Sequence, residues 1–278
     1  KEGLRAADAA LVVLSGRSGV SVGTEQVFKY AQQKGVPIMF FVNKIDDERA
    51  NYQRTLEEMK EKFGKSITPF VYPIKEGDEF KGFVDIIDMT ARRYEGKDRV
   101  DIPVPEGMAE TVAPLRDMIM EAVAETDDAL MNKYFNGEEF TFDEIKQAIR
   151  KGVKEGSIYP VYCGMDGIGK YLPNPNEIAE IAHDSKTGDP IEVVQDAADT
   201  TSAIVFKTIA DPYVGKMSLF RVYSGEVKAD TVLYNPNKSA SEKIGKVYML
   251  RGKKQIEVKE IMAGDIGVVA KLDKTKTG

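Results

Sequence analysis

The stretch "FFVNKID", residues 40–46, passes from strand-forming apolar side chains into Asn43, Lys44, a spacer and Asp46. An amide, a long-stemmed amine and a carboxylate at this spacing suit the reading of a flat purine edge. Guanine offers N1–H and an exocyclic amino group side by side, and a fixed carboxylate at Asp46 accepts both as a paired, charge-assisted contact. Adenine has an acceptor at N1 and no amino group at C2, so the same carboxylate would be left unpaired, and discrimination follows from that mismatch. Asn43 can donate its amide to purine acceptors and brace neighbouring loops, while the methylene stem of Lys44 can lie across the base.

Such a trio works only if something rigid holds it. "DAALVVLSG" reads as an apolar strand, Thr24 as the cap of a helix running through Val27, Phe28 and Ala31 to Gly35, and "VPIMFFV" as the next strand. "NYQRTLEEMKEKFG" is a second helix that ends in glycine. Strand and helix in alternation predict a parallel sheet with helices on its faces, and such sheets bind ligands outside the C-terminal ends of their strands, where Asn43 falls.

The base-reading trio names a base and not a reaction. The phosphate cradle G-x-x-x-x-G-K-[ST] is absent from the sequence. "SGRSGVSVG", residues 15–23, is glycine-rich but lacks the Lys-Ser/Thr pair, and it reads as a loop entering a helix.

From residue 65 the rhythm changes. "TPFVYPI" and "KGFVDIIDM" are strand-like and are followed by helical stretches rich in Met, Ala and Glu, with "TFDE" at 141–144 as a capping box. "SIYPVYC", residues 157–163, is again β-rich, which makes residues 65–156 an insert before the first sheet resumes, and Pro173 and Pro175 close that domain. After "KTGDP" come repeated short strands, "SAIVFKTI", "MSLFRVYSG", "TVLYN", "IGKVYML" and "IGVVAKL", separated by Gly, Pro, Asn and Asp turns. Their spacing predicts a small β-barrel. The expected domains are therefore a partial base-binding domain over 1–64 and 157–190, an insert over 65–156, and a barrel over 191–278.

Composition sets the outer limits. With 278 residues, 42% hydrophobic and 30% charged, the chain is of globular type and long enough for two or three domains. No apolar run reaches the ~20 residues of a membrane-crossing helix. The start, "KEGLRAAD", has neither an initiator methionine nor a signal-peptide core, so secretion is not expected and an upstream segment is. One cysteine, Cys163, excludes an internal disulfide, and one histidine, His183, excludes a Cys/His zinc site. Cys163 reads as a buried strand residue and His183 as a surface or capping one, and a reducing, cytoplasmic compartment is expected. The net charge of −6 conceals an asymmetry, since residues 197–278 hold 14 Lys and Arg against 9 Asp and Glu. Within them Arg251, Lys253 and Lys254 form a basic turn suited to RNA phosphates.

"RAADAALVVLSGRSGVSVGTEQVFKYA", "GVPIMFFVNKID" and "FKTIADPYVGKMSLFRVYSG" together resemble translation elongation factor G, and the resemblance covers essentially the whole chain. It implies a GTPase-type α/β parallel sheet, incomplete here, with an α+β insert, followed by the translation-factor β-barrel. It also implies GTP or GDP with Mg²⁺ as cofactors of the intact factor, and the ribosome, its RNA and proteins, as partner, with no role for membrane or DNA. By the same resemblance the chain begins after the phosphate loop and both switch segments, so it is expected not to hydrolyse GTP alone. Two departures stand out. Met165 follows Cys163-Gly164 where the family has Ser-Ala-Leu, a source of backbone contacts to guanine, and "YMLRGKKQIEV" at 248–258 looks like that of a divergent paralogue. The rival expectations are a non-catalytic ribosome-binding fragment and a GTPase of the ribosomal-protection type.

Overall fold

The computed structural model describes residues 2–278 apart from 78, 97, 165–167, 175, 176, 179, 185, 186, 194, 197–199 and 213. The chain divides into two compact units, Ala9–Leu172 and Lys1–Asp8 with Pro173–Gly278.

In the first unit, β1 (Ala10–Ser15) leads to α1 (Val22–Gln33), β2 (Ile38–Asn43), α2 (Tyr52–Phe63) and β3 (Ile67–Pro69). After an insert, β8 (Tyr159–Tyr162) returns to the same sheet, whose order is β1-β2-β8-β3 with every pairing parallel. This is the expected sheet of alternating strands and helices, and the apolar run Ile38–Phe40 is buried because a central parallel strand is covered on both faces. Phe40 of β2 packs its ring 5.8 Å from Phe28 of α1 and 5.3 Å from Phe63 of α2, and Phe28 also meets Tyr159 of β8 edge-on at 5.1 Å. Two helices and two strands are thereby locked by one aromatic cluster.

One cap differs from the expectation. Helix α1 is capped by Ser21, whose hydroxyl accepts from the Thr24 N–H at 3.2 Å, while Thr24 sits inside the first turn and reaches back to the Ser21 N–H. A capping residue needs extended backbone, which Ser21 has with ψ of 162°. For α2 the cap is Asn51, and Gly64 follows its last residue.

The insert is an antiparallel sheet, β4 (Val71–Glu76), β5 (Glu79–Asp85), β6 (Thr90–Glu95) and β7 (Asp98–Ile102) in sequential order, then helices α3 (Glu106–Ala124), α4 (Asp128–Phe135) and α5 (Phe142–Glu155). Ile74, Val84, Ala91 and Val112 form the core between this sheet and α3.

The 141–144 capping box is present: the Thr141 hydroxyl accepts from the Glu144 N–H, and Glu144 accepts from the Thr141 N–H at 2.8 Å. Lys133 of α4 also donates to Glu144 at 2.6 Å, and with the Thr141 bonds it draws that carboxyl down to about 2 from its usual 4.5. A depressed carboxyl contributes stability that is complete above its unfolded value and is lost as the pH falls towards the folded one. Glu144→Gln is therefore expected to lower the melting temperature near neutral pH, with the difference from wild type shrinking as pH falls from about 4.5 towards about 2. A difference that stays constant over a pH series of thermal melts would contradict this.

A short helix α6 (Ile168–Tyr171) ends the first unit. The second unit is antiparallel throughout its described strands. β9 (Glu180–His183) pairs with β10 (Pro190–Val193). A five-stranded sheet follows in the order β11 (Ser202–Asp211), β12 (Gly215–Ser224), β19 (Ile266–Ala270), β16 (Val247–Arg251) and β17 (Lys254–Val258). Two further pairs accompany it, β13 (Glu226–Lys228) with β18 (Glu260–Met262) and β14 (Val232–Asn235) with β15 (Ala240–Lys243). Phe220, Val222, Val227, Ile244, Val247, Ile261, Val269 and Leu272 share one core, so the large sheet and the β13–β18 pair bury the same apolar surface. Among the described residues no helix is long and apolar enough to cross a membrane.

Candidate base-binding site

Asn43 is the last residue of β2 and lies opposite Ser15, the last of β1. Its carbonyl accepts from the Gly16 N–H at 2.8 Å, so both strands leave the sheet together. The Asn43 side-chain oxygen turns back to accept from the Lys44 N–H at 2.9 Å, which leaves its Nδ2 as the outward donor.

Lys44 adopts a left-handed backbone, φ 58°, which an L residue takes only when its surroundings impose it. Its neighbour Ile45 is buried and packs so close to Gly16 that a Cβ added there would stand 2.8 Å from the Ile45 Cδ1. The turn drives Ile45 inward and leaves Lys44 and Asp46 exposed on either side of it.

Two adjacent carboxylates come next, and only one is taken up. Asp47 accepts from the Arg49 N–H at 2.9 Å and lies 3.7 Å from Arg17. The Arg49 N–H, with the Arg49 and Arg17 charges behind it, holds the Asp47 carboxyl below its ordinary range against the opposing cost of desolvation. Lys75 donates to the Asp47 carbonyl at 3.4 Å and so reaches the loop from β4. Among the described residues nothing hydrogen-bonds or pairs with the Asp46 carboxylate, which leaves it available to a ligand.

The loop after β1 is fastened by α2. Asn51 N–H donates to the Gly16 carbonyl at 3.0 Å, Arg54 to the Arg17 carbonyl at 3.1 Å, and Glu58 accepts from the Val20 N–H at 3.1 Å. Gly19, at φ 68°, adopts a backbone that strains any L side chain, and a Cβ there would also push the Glu58 carboxylate aside, since it would stand 1.8 Å from it. Sequence reasoning does not find Asp47, Glu58 or Lys75. The charge clusters "DDER" and "LEEMKEK" are the only trace of the two carboxylates, and they read equally well as solvated helix and loop faces.

The neighbouring strand β8 ends beside this loop, with Phe41 opposite Tyr162. Cys163 is buried, burial pushes its thiol up, and its Sγ lies 3.8 Å from the Val71 carbonyl, as befits a packed strand residue. Residues 165–167, where the Ser-Ala departure falls, lie outside the described residues. Among the described residues no three His, Cys, Asp or Glu side chains gather as a metal site would require.

The second group of candidates sits at the tip of the β16–β17 hairpin. Arg251 and Lys254 are directly opposite in the pairing, Gly252 and Lys253 make the turn between them, and all are exposed. Like charges facing one another across a hairpin disfavour the fold. None of the three cations is offset by a neighbouring carboxylate among the described residues. The tip is thus a small concentrated positive feature in the basic half of the chain.

These features define a class: a mixed α/β protein with a parallel sheet whose second strand ends in Asn43-Lys44-Ile45-Asp46, followed by an antiparallel β unit. Residues 200–278 match the family model of elongation factor G domain 2. Along all of its length the chain is similar to a protein of known crystal structure from Thermus thermophilus, with a TM-score of 0.81 and 31% sequence identity. It spans 40% of that relative's chain. The chain is an elongation-factor-G-like protein, with that family's second domain at its C-terminal end.

Proposed function

We propose that the chain is the base-binding and second-domain portion of a ribosome-dependent translational GTPase acting in the elongation phase of cytoplasmic protein synthesis. The observation that carries this reading is the disposition of Asn43, Lys44 and Asp46: they stand at the C-terminal end of a buried parallel strand, with one carboxylate tied down and the other unengaged. In this reading Asp46 accepts the guanine N1–H and amino group, the Asn43 Nδ2 donates to the purine, and the Lys44 stem covers the base.

GTP or GDP is the ligand. Mg²⁺ accompanies its phosphates, for which the described residues offer no carboxylate cluster. In this reading residues 1–64 and 157–190 form the base-binding domain, 65–156 the insert and 191–278 a β-barrel, although Lys1–Asp8 and residues 173–190 fall in the second compact unit. The partner is the ribosome, met in part by Arg251, Lys253 and Lys254 through RNA phosphates.

The test is sedimentation of the full-length protein with ribosomes, wild type beside Arg251→Ala/Lys253→Ala/Lys254→Ala, over a salt series. Removing three phosphate contacts is expected to weaken binding about tenfold or more at moderate salt, and to reduce the salt dependence by about two to three units of slope. Binding and slope unchanged by the triple substitution would remove the hairpin from the interface. Ribosome binding retained without any affinity for guanine nucleotide would favour a non-catalytic ribosome-binding role.

A further inference from the structure

Asp46 is exposed, and an exposed side chain has no packing of its own to place it, so its carboxylate stands wherever the backbone on either side is held. Before Asp46, the burial of Ile45 does the holding. After it the chain turns at once: the Ala50 N–H donates to the Asp47 carbonyl at 2.9 Å, and the Asn51 N–H ties the end of the loop to the Gly16 carbonyl at 3.0 Å. That turn has one more fastening. The Lys75 ammonium reaches two of its carbonyls, Asp47 at 3.4 Å and Ala50 at 3.5 Å.

Lys75 is half-buried near the end of β4, and the pairing around it is irregular. Ile74 faces Gly82 while Lys75 faces Phe80, so Lys81 is the extra residue of a β-bulge, a device that bends a strand and re-aims its side chains. Gly82 beside the bulge has backbone in the way of any side chain, since a Cβ would stand 1.9 Å from the Arg92 carbonyl oxygen of β6. The start of β4 is fixed as well: the buried Tyr52, first residue of α2, donates its hydroxyl to the Val71 carbonyl at 2.7 Å and packs edge-on against Tyr72 with ring centres 5.4 Å apart. Strand β4 is thus tied to α2, and its cation has a fixed place from which to reach the loop. Among the described residues no carboxylate pairs with the Lys75 ammonium, which leaves the two carbonyls as its partners.

We propose that Lys75 is a positioning residue for base recognition: by binding the two carbonyls that follow Asp46, it fixes the loop on which the Asp46 carboxylate meets the paired donors of guanine. The inference rests on the base-binding reading of Asn43, Lys44 and Asp46 given above, and adds that a residue of the insert sets how sharply the amino group of the base is read. Inosine lacks that amino group and gives Asp46 one contact fewer, so a misplaced carboxylate costs it less.

The test compares full-length wild type and Lys75→Met by calorimetric titration with GDP and with inosine diphosphate, and by hydrogen exchange of the nucleotide-free proteins. Lys75→Met is expected to weaken GDP binding about tenfold, to narrow the preference for GDP over inosine diphosphate about fivefold, and to speed exchange over residues 47–51, while β1 and β2 keep their wild-type protection. Equal losses for both nucleotides overturn the proposal, because a general weakening of the fold would give that result. Unchanged GDP affinity, or unchanged exchange over residues 47–51, overturns it too and leaves the base-binding reading standing. A wild-type protein that binds neither nucleotide removes the base-binding reading and the proposal with it. Should Lys75→Met lose the protection of β1 and β2, Lys75→Gln, which is uncharged but keeps a polar head, decides: the preference for GDP must narrow there or the proposal fails.

Discussion

Asp46→Asn is expected to invert the base preference of the full-length protein. The substitution replaces a double acceptor with a group that presents a donor, so the guanine amino group loses its partner and meets an N–H instead. Losing a charge-assisted, paired contact costs about 3–4 kcal/mol, or roughly 10²–10³-fold in GDP affinity. Xanthine carries an oxygen where guanine carries the amino group, and the amide introduced at position 46 donates to it. Xanthosine diphosphate is therefore expected to bind the variant more tightly than GDP does. Equal GDP affinity in wild type and variant would sink the assignment of Asp46. Asp47→Asn supplies the contrast: it disturbs a carboxylate engaged by Arg49 and Arg17, so it is expected to loosen the loop without creating affinity for xanthine.

Phe40→Ala is the second large effect, and it falls on stability. Phe40 is fully buried, three residues before Asn43 on the same strand, and its ring fills the space between Phe28 of α1 and Phe63 of α2. Emptying that volume removes the buried ring and leaves a cavity that two helices and a strand cannot easily close. The expected cost is about 3–5 kcal/mol. Urea unfolding followed by hydrogen exchange at β1 and β2 is the direct reading, and a loss under about 1 kcal/mol would mean that the aromatic cluster does not hold the sheet together. A weakened β2 also weakens whatever Asn43 and Asp46 bind, so the variant is expected to lose nucleotide affinity with no change in base preference. That separates it from Asp46→Asn.

The strand-helix rhythm and the place of Asn43 are legible in the sequence, because "IMFFV" is a run that only a strand buried on both faces supports and N-K-x-D comes directly after it. The 141–144 cap is legible because that signal is local. The Ser21 cap is not, because Ser21 and Thr24 both carry hydroxyls in the right place, and only the backbone angles distinguish them. Asp46 and Asp47 look alike in sequence; the partners that tell them apart come from the preceding loop, Arg17, and from the adjoining turn, Arg49. Glu58 reaches Val20 across 38 positions, and Arg221 reaches Asp8 across 213, distances at which no spacing pattern survives. Neighbouring residues decide what a sequence displays, whereas the choice of a distant partner is made by folding.

Whether this sheet end reads a guanine base is tested most directly by calorimetric titration of the full-length protein with GDP and, in parallel, with ADP. Saturable GDP binding is expected, with ADP weaker by about a hundredfold or more, since adenine leaves the Asp46 carboxylate unpaired. GDP and ADP bound equally, or neither bound, would contradict it.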